Sequence, residues 1–234
     1  MSETPESQGT RIAMVLFQRL TQLDLTGPFE VLSRMPNAEV DLLWHRLEPV
    51  VSDRGLALTP TGTFEGYGGA DVLFIPGGPG QLAAMEDEAL LAFVRRAGGD
   101  ARWITSVCTG SLVLAAAGLL AGKRATTHWT VLDQLALLGV EPVAERVVVD
   151  GNVITGAGVS AGLDFALTVA ATLHDEETAR RIQLQIEYDP EPPFAAGSPA
   201  KAGEETTAAL RDAASELTAR RRRVAERLGA ALAG

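Results

Sequence analysis

The chain has one cysteine, Cys108, in the stretch Trp103-Ile104-Thr105-Ser106-Val107-Cys108-Thr109-Gly110-Ser111. The apolar residues before it predict a buried strand, and Leu112 to Leu120 after it predict a helix. A thiol between the two sits on a sharp strand-to-helix turn, the arrangement of a nucleophile elbow. There the sulfur stands at the carboxyl end of a sheet and meets the first amides of a helix, which favour thiolate over thiol. The plainer alternative is a small buried hydrophobe, the usual fate of a free cysteine.

Two further segments are predicted to end at the same edge, where open parallel sheets bind their ligands. One follows an apolar strand at Ile12 to Phe17 and carries Gln22-Leu23-Asp24-Leu25-Thr26-Gly27; the other follows a strand at Asp71 to Pro76 and carries Gly77 and Gly78. Asp24, flanked by leucines, reads as a partly buried carboxyl, either a general acid and base for the thiol or a brace for its own loop. Gly77 and Gly78 allow close backbone approach and offer amide donors to developing negative charge, or they form a plain tight turn. Thr109 follows the cysteine directly, so no Cys-His pair is present. The histidines His45, His128 and His174 show no metal-ligand spacing, and no metal site is expected. His128, in Thr126-Thr127-His128-Trp129, reads as a positioning histidine, and Asp164 as a helix brace.

The elements that must position these residues alternate between strand and helix. A helix is predicted to open at Thr26-Gly27-Pro28, with Pro28 at a first helical position. Strands are expected at Glu39 to Trp44, as an edge-like pair within Val50 to Pro60, and at Lys123 to His128. A hairpin turning at Asp150-Gly151 joins Arg146 to Thr155. Helices are expected at Gln81 to Ala97, Val131 to Leu138, Ser160 to Leu173 and Asp175 to Tyr188. This alternation predicts an α/β fold with a mostly parallel sheet and helices on both faces. Residues 1–10 read as a disordered tail and 11–188 as one α/β domain. Residues 189–234 read as a proline-rich connector and a polar C-terminal helix that packs on the core or on a second subunit.

The charge balance, 20 basic against 30 acidic residues for a net −10, excludes nucleic acid and anionic membranes as expected partners. The basic run Arg220 to Arg223 reads as a solvated helix face, because acidic residues precede it. The start of the chain lacks a signal-like apolar run and no apolar stretch is long enough to span a bilayer, so a cytoplasmic location is the default.

The segments Asp71 to Gly78, the Cys108 turn and Thr126 to Trp129 together resemble the ThiJ/PfpI superfamily. Gln22 to Pro28, Thr105 to Leu114, Ala125 to Trp129 and the C-terminal strings Pro192-Pro193-Phe194 and Ala196 to Pro199 narrow the resemblance to its isocyanide hydratases. The resemblance implies a doubly wound, flavodoxin-like fold and a homodimer. It also implies a cofactor-free hydration of an isocyanide to an N-substituted formamide through a thioimidate on Cys108. Asp24 would be the acid/base, where most relatives carry glutamate, and Thr109 stands where amidase-like relatives carry histidine. Gly77 and Gly78 would supply amides. Two alternatives come with it: glyoxalase or deglycase chemistry on α-oxo aldehydes, and a non-catalytic sensing domain like that of AraC-type regulators.

Overall fold

A computed structural model describes residues 9–233, so the expected tail lies outside the described residues as far as position 8. Strand β1 (Arg11–Val15) leads to helix α1 (Gln22–Leu32) and strand β2 (Glu39–Trp44). Three two-residue strands follow, β3 (Val50–Val51), β4 (Ala57–Leu58) and β5 (Gly62–Thr63). Strand β6 (Val72–Ile75) precedes helices α2 (Gln81–Ala84) and α3 (Glu88–Asp100), and β7 (Trp103–Val107) precedes α4 (Gly110–Ala116). After β8 (Arg124–Ala125), a 3₁₀ helix (Trp129–Leu138) and β9 (Glu141–Pro142) come β10 (Val147–Asp150) and β11 (Val153–Gly156). The chain closes with α5 (Ala161–Leu173), α6 (Glu176–Gln185), an exposed connector, α7 (Pro199–Ala202) and α8 (Glu204–Ala233).

Seven strands form the main sheet in the order β10-β11-β7-β6-β1-β2-β5, parallel throughout except for the β10–β11 hairpin. This is the doubly wound arrangement that the alternation predicts. Val72 to Ile75 and Ile12 to Val15 are wholly buried, as strands covered on both faces must be. Helix α1 packs against α5 and α5 against α6, while α3, α4, the 3₁₀ helix and α8 pack among themselves, giving the two covering layers. The winding reverses between β1 and β6, so the carboxyl ends of β1, β6 and β7 lie side by side at the switch point.

Several local expectations shift for identifiable reasons. Helix α1 begins at Gln22, not at Thr26, and Pro28 lies inside it. The proline ring removes the amide that would otherwise bond the Asp24 carbonyl, and Gly27, lacking a Cβ, relieves the clash proline imposes on its predecessor. The helix expected over Gln81 to Ala97 is two, because the Asp87 carboxylate accepts from the Leu90 N–H at 3.0 Å and caps α3. Strands β3 and β4 form a separate antiparallel pair, and β5 holds the sheet edge instead. The strand expected over Lys123 to His128 is only the two residues of β8. In the hairpin Asp150 still pairs with Val153, which moves the turn one residue on, to Gly151-Asn152. Among the described residues no helix is long and apolar enough to cross a membrane.

Helix α8 returns to the core and lies along the 3₁₀ helix and α4. Most of it is polar and exposed, but Arg221 and Ala225, one turn apart, are buried, so the basic run is not a wholly solvated face. On the flanks Arg222 pairs with Asp133, Arg227 pairs with Glu86, and Gln134 Nε2 donates to the Thr218 carbonyl at 3.0 Å. The contact is closest at Gly229, where a Cβ would fall 1.8 Å from the Leu137 carbonyl oxygen. Gly229→Ala must therefore push α8 off its seat. Its expected cost is about 1–3 kcal/mol, read as a lower melting temperature of roughly 2–4 °C per kcal/mol. An unchanged melting temperature would show that the helix is not docked there.

Candidate active site

The elbow is a strained backbone held on every side. Cys108 has φ 52°, a left-handed conformation that disfavours residues with a Cβ. Its N–H donates to the carbonyls of Gly156 (3.0 Å), the last residue of β11, and Ala157 (2.7 Å), the next one. Its carbonyl accepts from the hydroxyls of Thr127 (2.8 Å) and Ser111 (3.2 Å). The turn presses against the end of β6 so closely that a Cβ on Gly110 would lie 2.2 Å from the Ile75 carbonyl oxygen. A Cβ on Gly77 would meet the Thr109 nitrogen, the Cys108 Cβ and Asp24 Oδ2, all within 2.8 Å.

Asp24 arrives from the first turn of α1, with no exposed surface. Its Oδ2 accepts from the Gly77 N–H at 3.1 Å, while Oδ1 is buried without a partner of ordinary hydrogen-bond geometry. Burial pushes the carboxyl up to about 7; the Cys108 thiol and the Gly77 N–H draw it back, and the charge on Asp53 adds a smaller push upward. The thiol is likewise driven well above its ordinary value, first by burial and then by the Asp24 charge. The Thr109 N–H and Arg221 pull it down without prevailing. This corrects the expectation of a thiolate favoured by helix amides at an open sheet edge. Cys108 is 4% exposed, and one N–H beside it does not offset lost hydration and a facing carboxylate.

The structure brings Cys108, Asp24, Thr109, Gly77 and Gly78 together. The amides of the glycines are already engaged: Gly77 N–H on Asp24, Gly78 N–H on Thr109 Oγ1 at 3.0 Å. The Gly77 carbonyl accepts from the Thr21 N–H at 3.0 Å, which ties the loop to the start of α1. Thr109 therefore braces Gly78 with its side chain and points its N–H at the sulfur.

Within Thr126 to Trp129 it is Thr127 that touches the elbow, through the Cys108 carbonyl. His128 caps the 3₁₀ helix; its Nδ1 lies 2.8 Å from Thr130 Oγ1, and burial, with a smaller contribution from Arg221, pushes it down to about 4. His45 lies away from the site, bonded to Asp87 at 2.6 Å, and Asp164 braces Arg146 and Tyr188. The string Gly158-Val159-Ser160-Ala161-Gly162 matches a Gly-x-Ser-x-Gly pattern at the turn into α5. Ser160, however, has an ordinary φ of −70° and its hydroxyl faces Arg146 rather than an imidazole, so it lacks both the strain and the base of a serine elbow.

One residue at the site stands outside every sequence motif. Arg221, on α8, is 6% exposed; its Nε donates to Gln81 Oε1 at 2.8 Å and its Nη2 to the Gly78 carbonyl at 3.2 Å. The only signal in the sequence was a helical repeat, Arg221 one turn before Ala225, in an otherwise polar helix.

Residues 10–172 match the model of the DJ-1/PfpI family. The chain is 50% identical over 222 residues to an isonitrile hydratase of Pseudomonas putida, covering 95% of this chain and 97% of that one. It is 33% identical over 149 residues to the HTH-type transcriptional regulator CdhR of Pseudomonas aeruginosa, a match that takes in 61% of this chain and 44% of the regulator. Among solved structures, a ThiJ/PfpI family protein from Pseudomonas syringae superposes with a TM-score of 0.92 at 44% identity, over 96% of this chain and 94% of that one. The fold, the cysteine elbow and these likenesses agree: the chain belongs to the DJ-1/PfpI family.

Proposed function

We propose that the protein hydrates isocyanides to N-substituted formamides through a covalent intermediate on Cys108. The observation that carries this reading is the buried pairing of Cys108 with Asp24, with Thr109 where a histidine would serve amide hydrolysis. The likeness to the isonitrile hydratase, which runs nearly end to end in both chains, supports it.

The chemistry follows from that pair. Both groups hold their protons more tightly than usual and titrate as a coupled pair; once the carboxyl ionises, the thiol proton lies between two competing bases. Transfer of the proton from Sγ to Asp24 produces the thiolate and a carboxylic acid beside it. The thiolate attacks the terminal carbon of the isocyanide, and the acid returns its proton to that carbon, leaving a thioimidate, R–N=CH–S–Cys108. Asp24, again a carboxylate, takes a proton from water as the water oxygen adds to the same carbon, and passes that proton to the imine nitrogen, giving R–NH–CH(OH)–S–Cys108. Collapse breaks the C–S bond, releases R–NH–CHO and returns a proton to the sulfur. Splitting the addition in this way is covalent catalysis, and one carboxyl that alternates between acid and base serves both halves.

The decisive test is incubation of the pure protein with an aryl isocyanide. Formamide formation and a mass adduct confined to Cys108 are expected; methylglyoxal consumption without formamide would overturn the reading in favour of glyoxalase-type chemistry. Cys108→Ala is expected to abolish turnover. Asp24→Asn and Asp24→Glu are expected to lower kcat by about 10²-fold or more, the first by removing the proton carrier, the second by forcing a methylene into a space bounded by Gly77 and Cys108.

The raised value of Asp24 also sets a pH dependence of stability. The folded carboxyl binds its proton more tightly than an unfolded one, so ionisation opposes folding, and stability falls as pH rises through the window between the ordinary value and about 7. Asp24→Asn removes that cost. Its stability relative to wild type is expected to rise by about 2 kcal/mol between roughly pH 5.5 and pH 8.5, measured by urea unfolding. A pH-independent difference would mean that Asp24 ionises freely in the folded state.

A further inference from the structure

Among the described residues only two charge-bearing side chains besides the thiol are buried, Asp24 and Arg221, and both lie at the elbow. A buried cation is costly unless a counter-charge faces it. Arg221 has none among the described residues: its hydrogen bonds go to two neutral acceptors, Gln81 Oε1 and the Gly78 carbonyl, while Arg222 and Arg227 on the same helix reach outward to Asp133 and Glu86. Its placement is nonetheless fixed. The Gln81 amide nitrogen is turned to the Met85 sulfur, which commits the oxygen to Arg221. The Gly78 peptide that receives the guanidinium is held on its other side by Thr109, the residue next to the cysteine.

We propose that Arg221 is a positioning residue of the site: its buried guanidinium is the counter-charge for the Cys108 thiolate. By this it favours the form of the pair with charge on sulfur and the proton on Asp24 over the form with a thiol and a carboxylate. The proton moves from Sγ to Asp24, the net charge of the pair stays the same, and the negative charge moves toward the arginine. The asymmetry of the electrostatics agrees, since Arg221 and Cys108 each ease the other's ionisation, while Asp24 responds to Cys108, Gly77 and Asp53. The inference rests on Cys108 being the reactive thiol and holds for any electrophile it attacks.

The charged and titratable groups that act on the sulfur are Asp24 on α1 and Arg221 on α8; Asp53, between β3 and β4, acts on Asp24, and His128, at the start of the 3₁₀ helix, faces Arg221. His128, pushed down to about 4, stays neutral across the range to be tested. The experiment is the pH dependence of iodoacetamide alkylation, followed by intact mass, in wild type, Arg221→Lys and Arg221→Gln. The lone cysteine makes the signal unambiguous. Arg221→Gln keeps a polar group without charge and is expected to move the inflection up by about one pH unit, slowing alkylation roughly tenfold at neutral pH. Arg221→Lys is expected to restore most of the shift. Access to the sulfur changes the plateau rate but not the inflection, so a merely structural arginine would leave the inflection where it is in wild type, and that result overturns the proposal. Arg221→Met, of similar length and apolar, replaces the glutamine variant if that one does not fold. Isocyanide turnover by the wild type is scored separately, so failure of the hydratase reading leaves the alkylation result interpretable.

Discussion

The site depends on one close approach, that of the Cys108–Gly110 peptide to the end of β6. Adjacent parallel strands that finish in step, with Ile75 opposite Ser106, would ordinarily send their loops apart. Here the left-handed turn at Cys108 folds the chain back across the neighbouring strand, and only residues without a Cβ fit between. The conformation costs about 1–2 kcal/mol. Two amide bonds to the β11 exit and two hydroxyl bonds to the Cys108 carbonyl hold it in place. Thr127, Ser111, Gly77 and Gly110 are in this sense consequences of a single backbone demand.

Such tight packing leaves Asp24 and the sulfur with little hydration, and their ionisation becomes a joint property. In water a carboxylate and a thiol would titrate far apart. Burial raises both, and their mutual repulsion forbids two charges in the same space. What results is a coupled pair in which the protonation of one group sets the ionisation of the other.

Much of this was legible in the residues. The unbroken apolar runs of β1, β6 and β7 and the glycines after β6 locate the edge, and the turn at Cys108 follows from a strand running straight into a helix. Asp24 was placed at the right edge but in the wrong element, because a proline after a Thr-Gly pair looks like a helix start; only the packed structure shows that a glycine and one absent amide let the helix run through it. Arg221 left only a faint trace, its place one turn before Ala225. Four consecutive arginines on a polar helix differ only by successive rotations about its axis, and which of them turns inward depends on where the helix docks.

That docking joins the elbow to a segment far along the chain. The bond from Arg221 to Gly78 joins residues 143 positions apart, so its loop is among the slowest to close. A chain made from its N-terminus completes the strands, the elbow and Asp24 before Arg221 exists. The elbow and its carboxyl thus precede in the chain the residue that bonds the Gly78 carbonyl, and the surroundings of the sulfur take their final form only when α8 docks.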